Sequence, residues 1–356
     1  MKVIRKLTGL FLLSTIAGVL QAQNTDCIVR KSFFAREGTY LRISNKFGDI
    51  NIITSKDDSI SVCAIITIKQ DDEELLQKSI SLIKIDIDKS KDTVDIQTVF
   101  DEKFFSPSYR KRRSGFSVDY AISVPAGTNL AIKNAFGDVV LDQISGIVNA
   151  KLSQGDFRAS KLTRGNLKPV SSLYFENGKV SIEEANWLTM TTRHCQSVKI
   201  GRAKALLMTS EFSKLTIGEL SSLVCNSKSD SYEITAVKNL IAESYYTAFE
   251  IGQLSGQLRA RTSYGTISVS ELLKDFTIID VTSSHTPFKI VTQKGASFKT
   301  DITVTNTLLY FPFEVNPMVK RSTEKNATTI TGVAGSNRDT QSLIKIKADF
   351  GTLEIK

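Results

Sequence analysis

Short runs in which apolar and polar residues alternate recur along most of the chain. One set comprises Val198/Ile200, Leu215/Ile217, Phe249/Ile251 and Ile267/Val269, and a second comprises Leu188/Met190, Leu206/Met208, Leu223/Cys225, Leu240/Ala242 and Leu258/Ala260. Alternation with a period of two is typical of a strand with one buried face. The runs carry no helical periodicity, so they predict an all-β chain and exclude a βαβ sheet.

A four-residue phrase precedes the first run of each unit. It reads Phe47-Gly48-Asp49-Ile50, Phe136-Gly137-Asp138-Val139, Gln154-Gly155-Asp156-Phe157 and Asn177-Gly178-Lys179-Val180, and it returns near the end as Tyr264-Gly265-Thr266-Ile267 and Phe350-Gly351-Thr352-Leu353. From Gly137 to Thr286 its second position advances by 18, 23, 18, 17, 17, 17, 18 and 21 residues, with degraded copies between. Such regular spacing indicates a structural repeat.

The repeat predicts a single-stranded parallel β-solenoid (β-helix) with two-strand coils of about 17–23 residues, because one such unit buries its apolar face only against its neighbours. We expect glycine at the corners because a tight turn often needs a positive φ. An antiparallel sandwich is the alternative, since it shows the same alternation. The expected organisation is a signal peptide over 1–22, a β-rich N-terminal cap over 23–130, solenoid repeats over 131–295 and closing strands over 296–356.

The expected cap contains a strand, a short helix and a hairpin. The strand covers 59–68, and Asp71 to Glu74 open an amphipathic helix because acidic residues complement the helix dipole at its first turn. Residues 92–99 and 116–124 are interpreted as the two arms of a hairpin. In the closing region, strands are expected over 301–313, and 320–339 are expected to form a polar loop interrupted only by 328–333.

The N-terminus has the pattern of a secretory signal. Lys2, Arg5 and Lys6 precede the apolar stretch Leu7 to Leu20, and Ala22 is a small residue at the expected cleavage position. A membrane anchor is the alternative, but the stretch is shorter than the roughly 20 residues that span a bilayer. Cleavage lowers the net charge from +9 to +6, which does not indicate a nucleic-acid partner. No later segment is long and apolar enough to span a bilayer, so we expect no transmembrane anchor after cleavage.

Aspartates at the third position of the phrase are candidates for chemistry. Asp49, Asp138 and Asp156 are interpreted either as a calcium or catalytic carboxylate site or as acceptors for backbone N–H groups in turns. The column continues with Lys179, which favours the turn interpretation. We expect no cofactor.

Histidine and cysteine offer little support for catalysis. His194 and Cys195 are adjacent, so on a strand they point to opposite faces. Cys195 is placed in the aromatic column of the phrase and Cys225 in an inward column, so we expect no bridge between them. A bridge between Cys27 and Cys63 is left open.

Four consecutive cations form the most pointed candidate for binding. Arg110, Lys111, Arg112 and Arg113 are expected at the hairpin tip between Phe104 and Phe116. They are interpreted either as a polyanion contact, to lipid head groups or an acidic glycan, or as a solvated loop.

The phrase resembles that of the exported bacterial putative-adhesin family of head GIN domain-like β-solenoids. The residues that carry the resemblance are 47–52, 136–141, 264–269 and the terminal 350–355. The resemblance implies adhesion and no catalytic residues. We therefore predict a non-catalytic, adhesin-like binding or structural protein of the bacterial envelope, periplasmic or at the cell surface, whose partner is an unidentified envelope component or glycan. The alternatives are a carbohydrate-active lyase or hydrolase and an envelope-stress regulatory partner.

Overall fold

The computed structural model describes residues 28–36, 38–110, 115–315 and 318–356. The predicted signal peptide therefore lies outside the described residues. The fold is all-β and consists of coils stacked in parallel, as the repeat predicts. The segments before the phrase form one wall, which we call sheet B, and the segments after it form a second wall, sheet A. In the middle coils a single long strand runs through both walls.

The strands follow one another with few helices between them. The N-terminal part contains β1 Val29–Phe34, β2 Tyr40–Ser44, β3 Ile50–Ser55, β4 Ser59–Lys69, α1 Glu73–Ile80, β5 Ile83–Ser90, β6 Thr93–Phe100, a 3-10 helix Glu102–Phe105, α2 Pro107–Arg110 and β7 Gly115–Pro125. The repeats contain β8 Asn129–Ala135, β9 Val139–Ile144, β10 Val148–Ser153, β11 Phe157–Leu162, β12 Ser171–Glu176, β13 Lys179–Arg193, β14 Ser197–Glu211, β15 Lys214–Lys228, β16 Ser231–Tyr245 and β17 Ala248–Ser263. The C-terminal part contains β18 Thr266–Leu272, β19 Ile278–Ser284, β20 Phe288–Thr292, β21 Phe298–Tyr310, a 3-10 helix Pro312–Val315, β22 Val319–Glu324, β23 Ala327–Ala334 and β24 Leu343–Ile355.

The coils stack in register, so like residues form columns through the core. Leu188, Leu206, Leu223, Leu240 and Leu258 are paired in that order across β13 to β17. These leucines and the alternating residues of sheet A are buried. Removing apolar surface from water stabilises the stack by about 25 cal/mol per Å². The strands of the repeat pair in parallel, so the alternative of an antiparallel sandwich is wrong.

At both ends the order of coils departs from the order of the chain. β2 and β3, which flank the first phrase, lie between β6/β7 on one side and β8/β9 on the other. β24 lies between β19/β20 and β21. The parallel stack therefore extends beyond residues 131–295 at both ends.

Antiparallel strands cover the ends of the stack. β4 pairs with β7 and β1 with β4, while β5 pairs with β6. α1 follows β4, and the Asp72 side chain caps it by accepting from the Leu75 N–H, as expected of the acidic opening. At the other end, β21, β23 and β22 pair antiparallel.

Two sequence-based assignments in these ends were wrong. Residues 92–99 belong to β6, whose hairpin partner is β5 and not the segment 116–124. That segment lies in β7, which pairs with β3 and β4. Residues 320–339 are largely a hairpin of β22 and β23 instead of a polar loop. β22 is polar and almost fully exposed, so its sequence shows no alternation of apolar and polar residues.

Glycine lies at equivalent corners, but the predicted positive φ is found at Gly48 alone among the four glycines of the first phrases. Gly137, Gly155 and Gly178 do not have a positive φ. A Cβ on Gly155 would lie 2.0 Å from the carbonyl oxygen of Gly137, and one on Gly178 would lie 2.1 Å from that of Gly155. The glycines therefore allow successive coils to approach closely.

The positive φ belongs to the residue before the glycine. Eleven residues from successive coils share φ values between 48° and 57°, and we call them the corner column: Phe136, Gln154, Asn177, His194, Phe212, Ser229, Tyr246, Tyr264, His285, Phe350 and Asn306. An L-residue pays a conformational cost in this region. The stacking of coils imposes it at each of these eleven corners.

Candidate functional site

The corner column displays a row of stacked rings to solvent. Tyr264 lies between Tyr246 and His285, with ring centroids 5.2 Å and 4.8 Å away, and His285 lies 4.8 Å from Phe350. His194 stacks on Phe212 at 5.1 Å. Because all these residues share one backbone conformation, their side chains leave the corner in one direction. Rings two strands apart in this column can therefore hold a third ring between them.

The structure corrects the placement of Cys195. The aromatic column contains His194, whereas Cys195 is buried beneath it, and its N–H donates to the Ser213 Oγ. Burial raises the pKa of the Cys195 thiol. The exposed imidazole and the buried thiol therefore lie on different sides of the backbone, an arrangement that does not activate a nucleophile.

The remaining cysteines differ in state. Cys225 follows Met208 and precedes Ala242 in the predicted inward column, and burial raises its pKa to about 12. Cys195 and Cys225 are free thiols, whereas Cys63 is disulfide-bonded. Cys27, the partner left open from the sequence, lies outside the described residues.

The aspartates of the phrase link neighbouring coils. The Asp49 Oδ1 accepts from the Asp138 N–H at 2.8 Å, and the Asp138 Oδ1 accepts from the Asp156 N–H at 2.9 Å. The Asp156 Oδ1 in turn accepts from the Lys179 N–H at 3.0 Å. These carboxylates thus accept from backbone N–H groups, but each N–H belongs to the next coil and not to the same turn as predicted.

The second oxygens of two of these carboxylates face one cation. The guanidinium of Arg158 lies 3.8 Å from the Asp138 Oδ2 and 3.9 Å from the Asp156 Oδ2. Within the described part of the chain, no group of three or more His, Cys, Asp or Glu side chains is arranged to hold a metal ion. The carboxylates thus act in the stacking of coils.

The outer face of sheet B carries a broad concavity of about 650 Å³ near the N-terminal end of the stack. Lys133 and Lys151 lie directly opposite each other on β8 and β10, and both are exposed. Neither lysine forms an ion pair with a described residue. The Lys151 Nζ lies 5.1 Å from the ring centroid of Tyr174, the next residue in this row.

A cluster of phenylalanines adjoins this concavity at the corner. Phe47 contacts Phe100, Phe105 and Phe116 with centroid distances between 5.0 and 5.8 Å, and it stacks on Phe136 at 5.2 Å. Phe105 and Phe136 are nevertheless 40% and 46% exposed. The Lys46 Nζ lies 5.2 Å above the ring of Phe47. Aromatic and cationic groups therefore lie together at this corner, where Phe136 follows Lys133 by three residues.

Arg110 is the one residue of the predicted basic segment that the structure describes. It ends α2, is exposed, and its N–H donates to the Ser106 carbonyl. Lys111, Arg112 and Arg113 lie outside the described residues. The two arms predicted for the hairpin of this segment, 92–99 and 116–124, do not pair with each other, because β6 pairs with β2 and β5 and β7 pairs with β3 and β4. The segment connects β6 and β7, the strands that flank the phenylalanine cluster.

Sequence reasoning missed the outer surface of sheet B around Lys133 and Lys151, which we call the basic face. Lys133 and Lys151 are 18 residues apart and are separated by a complete coil, so only the register of β8 and β10 brings them together. The spacing of the phrase contained this signal, because Phe136 and Gln154 are also 18 residues apart. Lys133 and Lys151 each precede the phrase by three residues. Aligning outward positions on the phrase would have found the pair.

Comparison with known proteins gives structural matches alone. No family model and no curated protein matches the chain. It is similar to a putative adhesin from Bacteroides fragilis (10% identity, TM-score 0.32, covering 92% of this chain and 96% of that one) and to one from Parabacteroides distasonis (10%, 0.34, 92% and 96%). A putative cell adhesion protein from Clostridium sporogenes matches at 8% identity and a TM-score of 0.19, covering 92% and 98%.

Solved structures described as putative adhesins thus match this chain, as the resemblance of the phrase implies. At these identities and TM-scores, the likeness identifies no binding residue and no ligand. In the described part of the chain, no helix combines the length and the apolar character needed to cross a bilayer.

Proposed function

We propose that this chain is a non-catalytic, exported β-solenoid that acts as an adhesin-like binding protein of the bacterial envelope. Its ligand is an acidic polymer, which lies along the basic face of sheet B. The observation that carries the proposal is the pair Lys133 and Lys151, directly opposite on adjacent strands at the floor of a concavity.

Like charges directly opposite on neighbouring strands destabilise a sheet. Strands lie about 4.8 Å apart, so the two ammonium groups repel each other where a Ser or Thr would not. A bound polyanion removes this repulsion, and Lys46 at the adjoining corner adds a further cation. Asn149 and Ser172, in the neighbouring row of the concavity, offer hydrogen bonds to sugar hydroxyl groups.

Binding to polygalacturonate beads tests the basic face. We expect the double variant Lys133→Ser/Lys151→Ser to lose at least ten-fold in affinity at low salt, and native binding to weaken steeply as salt is raised. The matched control is Lys199→Ser/Lys238→Ser, which removes the same charge from exposed positions in other coils. Equal affinity of the two double variants would contradict the proposed face.

The basic segment 110–113 extends the same proposal. Arg110, its described residue, ends α2, which follows the exposed Phe105, and the Lys46 Nζ lies 6.0 Å from the ring centroid of Phe105. We expect the quadruple replacement of Arg110, Lys111, Arg112 and Arg113 by Ser to weaken retention on the same beads and on anionic vesicles at low salt. Retention of both forms to the same extent, at low and at high salt, would reduce the segment to a solvated loop.

Two further measurements address catalysis and location. The use of Asp138 and Asp156 as acceptors between coils supports a non-catalytic role. We expect native protein to release no reducing ends or unsaturated products from polygalacturonate, and a turnover abolished by Asp138→Ala in a folded variant would contradict this. Fractionation of cells should place the mature chain in the periplasm or at the surface.

A further inference from the structure

The corner column contains an unfilled ring position between Phe212 and Tyr246. Ser229 lies at the corner of the coil between them and has the same left-handed backbone. The φ values of Phe212, Ser229 and Tyr246 are 50°, 57° and 53°. The Ser229 side chain therefore leaves the corner in the same direction as the rings but does not reach between them. The rings of Phe212 and Tyr246, which form the two walls of this gap, are two strand spacings apart, or about 9.6 Å.

The column itself shows what such a gap holds. One coil further along, Tyr264 fills the equivalent position between Tyr246 and His285, at 5.2 Å and 4.8 Å. Phe212 and Tyr246 are 49% and 54% exposed, more than the 45% of Tyr264, which has rings on both sides. The gap at Ser229 thus leaves two ring faces open to solvent.

Both walls of the gap are held in place from behind. His194 stacks on Phe212 with an interplanar angle of 4°. Tyr264 stacks on Tyr246, and the ring of Tyr245 packs edge-on against Tyr246 at 4.4 Å. Binding therefore does not have to order the walls, which lowers its cost in entropy.

The surroundings of the gap are polar. Lys228 and Glu211, which precede Ser229 and Phe212, form an ion pair at 3.4 Å beside the opening. A concavity of about 490 Å³ begins at Lys228 and Tyr245 and continues past Glu243 and Arg261. Its groups both donate and accept hydrogen bonds, which suits a ligand with many hydroxyl groups.

We propose that the gap between Phe212 and Tyr246 binds one hexopyranose ring of a neutral glycan, whose neighbouring sugar occupies the adjoining polar concavity. A pyranose presents C–H groups on its faces and hydroxyl groups around its edge. Its faces therefore suit two aromatic walls, with carbon contacts of about 3.5–4.0 Å, and its edge suits the polar rim. The site lies on other coils than the basic face and does not depend on the proposed function.

The test fills the gap from within the chain. Native protein is titrated calorimetrically with cellohexaose, maltohexaose and mannohexaose. We expect at least one to bind, and we expect Ser229→Tyr to lower its affinity at least ten-fold because the new ring occupies the gap. Tyr246 and Tyr264 already hold nearly the same φ in this column as Ser229 does. The variant should therefore fold, which thermal unfolding checks.

A second position of the corner column serves as the matched control. Gln154→Tyr adds the same ring to the corner column, beside Phe136 and Asn177, where no pair of rings faces a gap one residue wide. We expect it to bind like the native protein, and Tyr246→Ala to lose affinity like Ser229→Tyr. The proposal is overturned if native protein binds none of the three hexasaccharides, if Ser229→Tyr binds as native does, or if 4-methylphenol binds while the saccharides do not.

Discussion

At the scale of single residues, the corner shows that one sequence signal can have two physical causes. A recurring glycine suggested a positive φ, yet the left-handed residue is the one before it, and it is aromatic in several coils. Glycine is present because the coils approach closely. Where it is missing, small residues such as Ser213 and Thr247 replace it, and their hydroxyl groups accept from a backbone N–H of the preceding coil. The sequence thus identified the position of the corner but not the force that selects its residues.

Gly155→Ala tests the close approach of the coils. The added methyl group would overlap the Gly137 carbonyl oxygen, so we expect a loss of about 1–3 kcal/mol in the free energy of unfolding, as for other overpacked sites. Urea denaturation measures it. Gly165→Ala is the control, since a Cβ there meets nothing within 4 Å. An equal effect of the two substitutions would show that steric contact is not the reason for glycine at the corner.

Asp230 is a buried carboxyl group whose titration should be visible in stability. Burial raises its pKa, while hydrogen bonds from the Ser227 hydroxyl and the Ser213 N–H oppose the shift. The folded protein then retains a proton that the unfolded chain releases. This contribution to stability is complete below the ordinary value of 3.8 and is lost as pH rises through the raised pKa.

Asp230→Asn removes this dependence and keeps a group that can accept from Ser213 and donate to Ser227. We expect the variant to gain stability relative to the native protein as pH rises from 3.5 to 7, measured by urea unfolding at each pH. Asp275→Asn, at an exposed position, is the control and should leave the difference constant. A constant difference for Asp230→Asn as well would mean that Asp230 does not titrate in this way.

At the scale of elements, the sequence predicted the repeated strands well and the ends poorly. The strands of the repeat alternate because one face is buried, and their partners lie one period away. The ends have no period to follow. β24 pairs with β19, whose residue Ser284 is opposite Asp349, and only the three-dimensional arrangement determines that pairing. β22 is an exposed strand of polar residues, so its sequence resembles that of a loop.

Deletion of residues 343–356 tests the insertion of β24. Without this strand, β19, β20 and β21 each present an unpaired edge, and exposed edges favour association between chains. We expect the shortened protein to aggregate or to unfold at its C-terminal coils, measured by size-exclusion chromatography and hydrogen exchange. A synthetic peptide of residues 343–356 should restore a monomer. A soluble shortened protein with native protection in β19 and β21 would contradict this role.

At the scale of the whole molecule, the stack forms a rod with different surfaces along its length. Thirteen described strands of sheet B follow one another in parallel, and twelve steps of about 4.8 Å give a length near 58 Å. The unpaired lysines lie toward the N-terminal end, and the gap at Ser229 lies several coils away. Two different ligands can therefore contact separate coils of the rod without competing.

The corner column also makes this protein a molecular ruler. Each of its eleven residues holds the same backbone conformation whether the side chain is Phe, Gln, Asn, His, Ser or Tyr. The backbone thus tolerates different side chains at a fixed interval of about 4.8 Å. Exchanging one residue changes one side chain of the column and leaves the spacing of the others intact. A pattern of rings and gaps matched to the repeat of a chosen polymer can be written into the column one coil at a time.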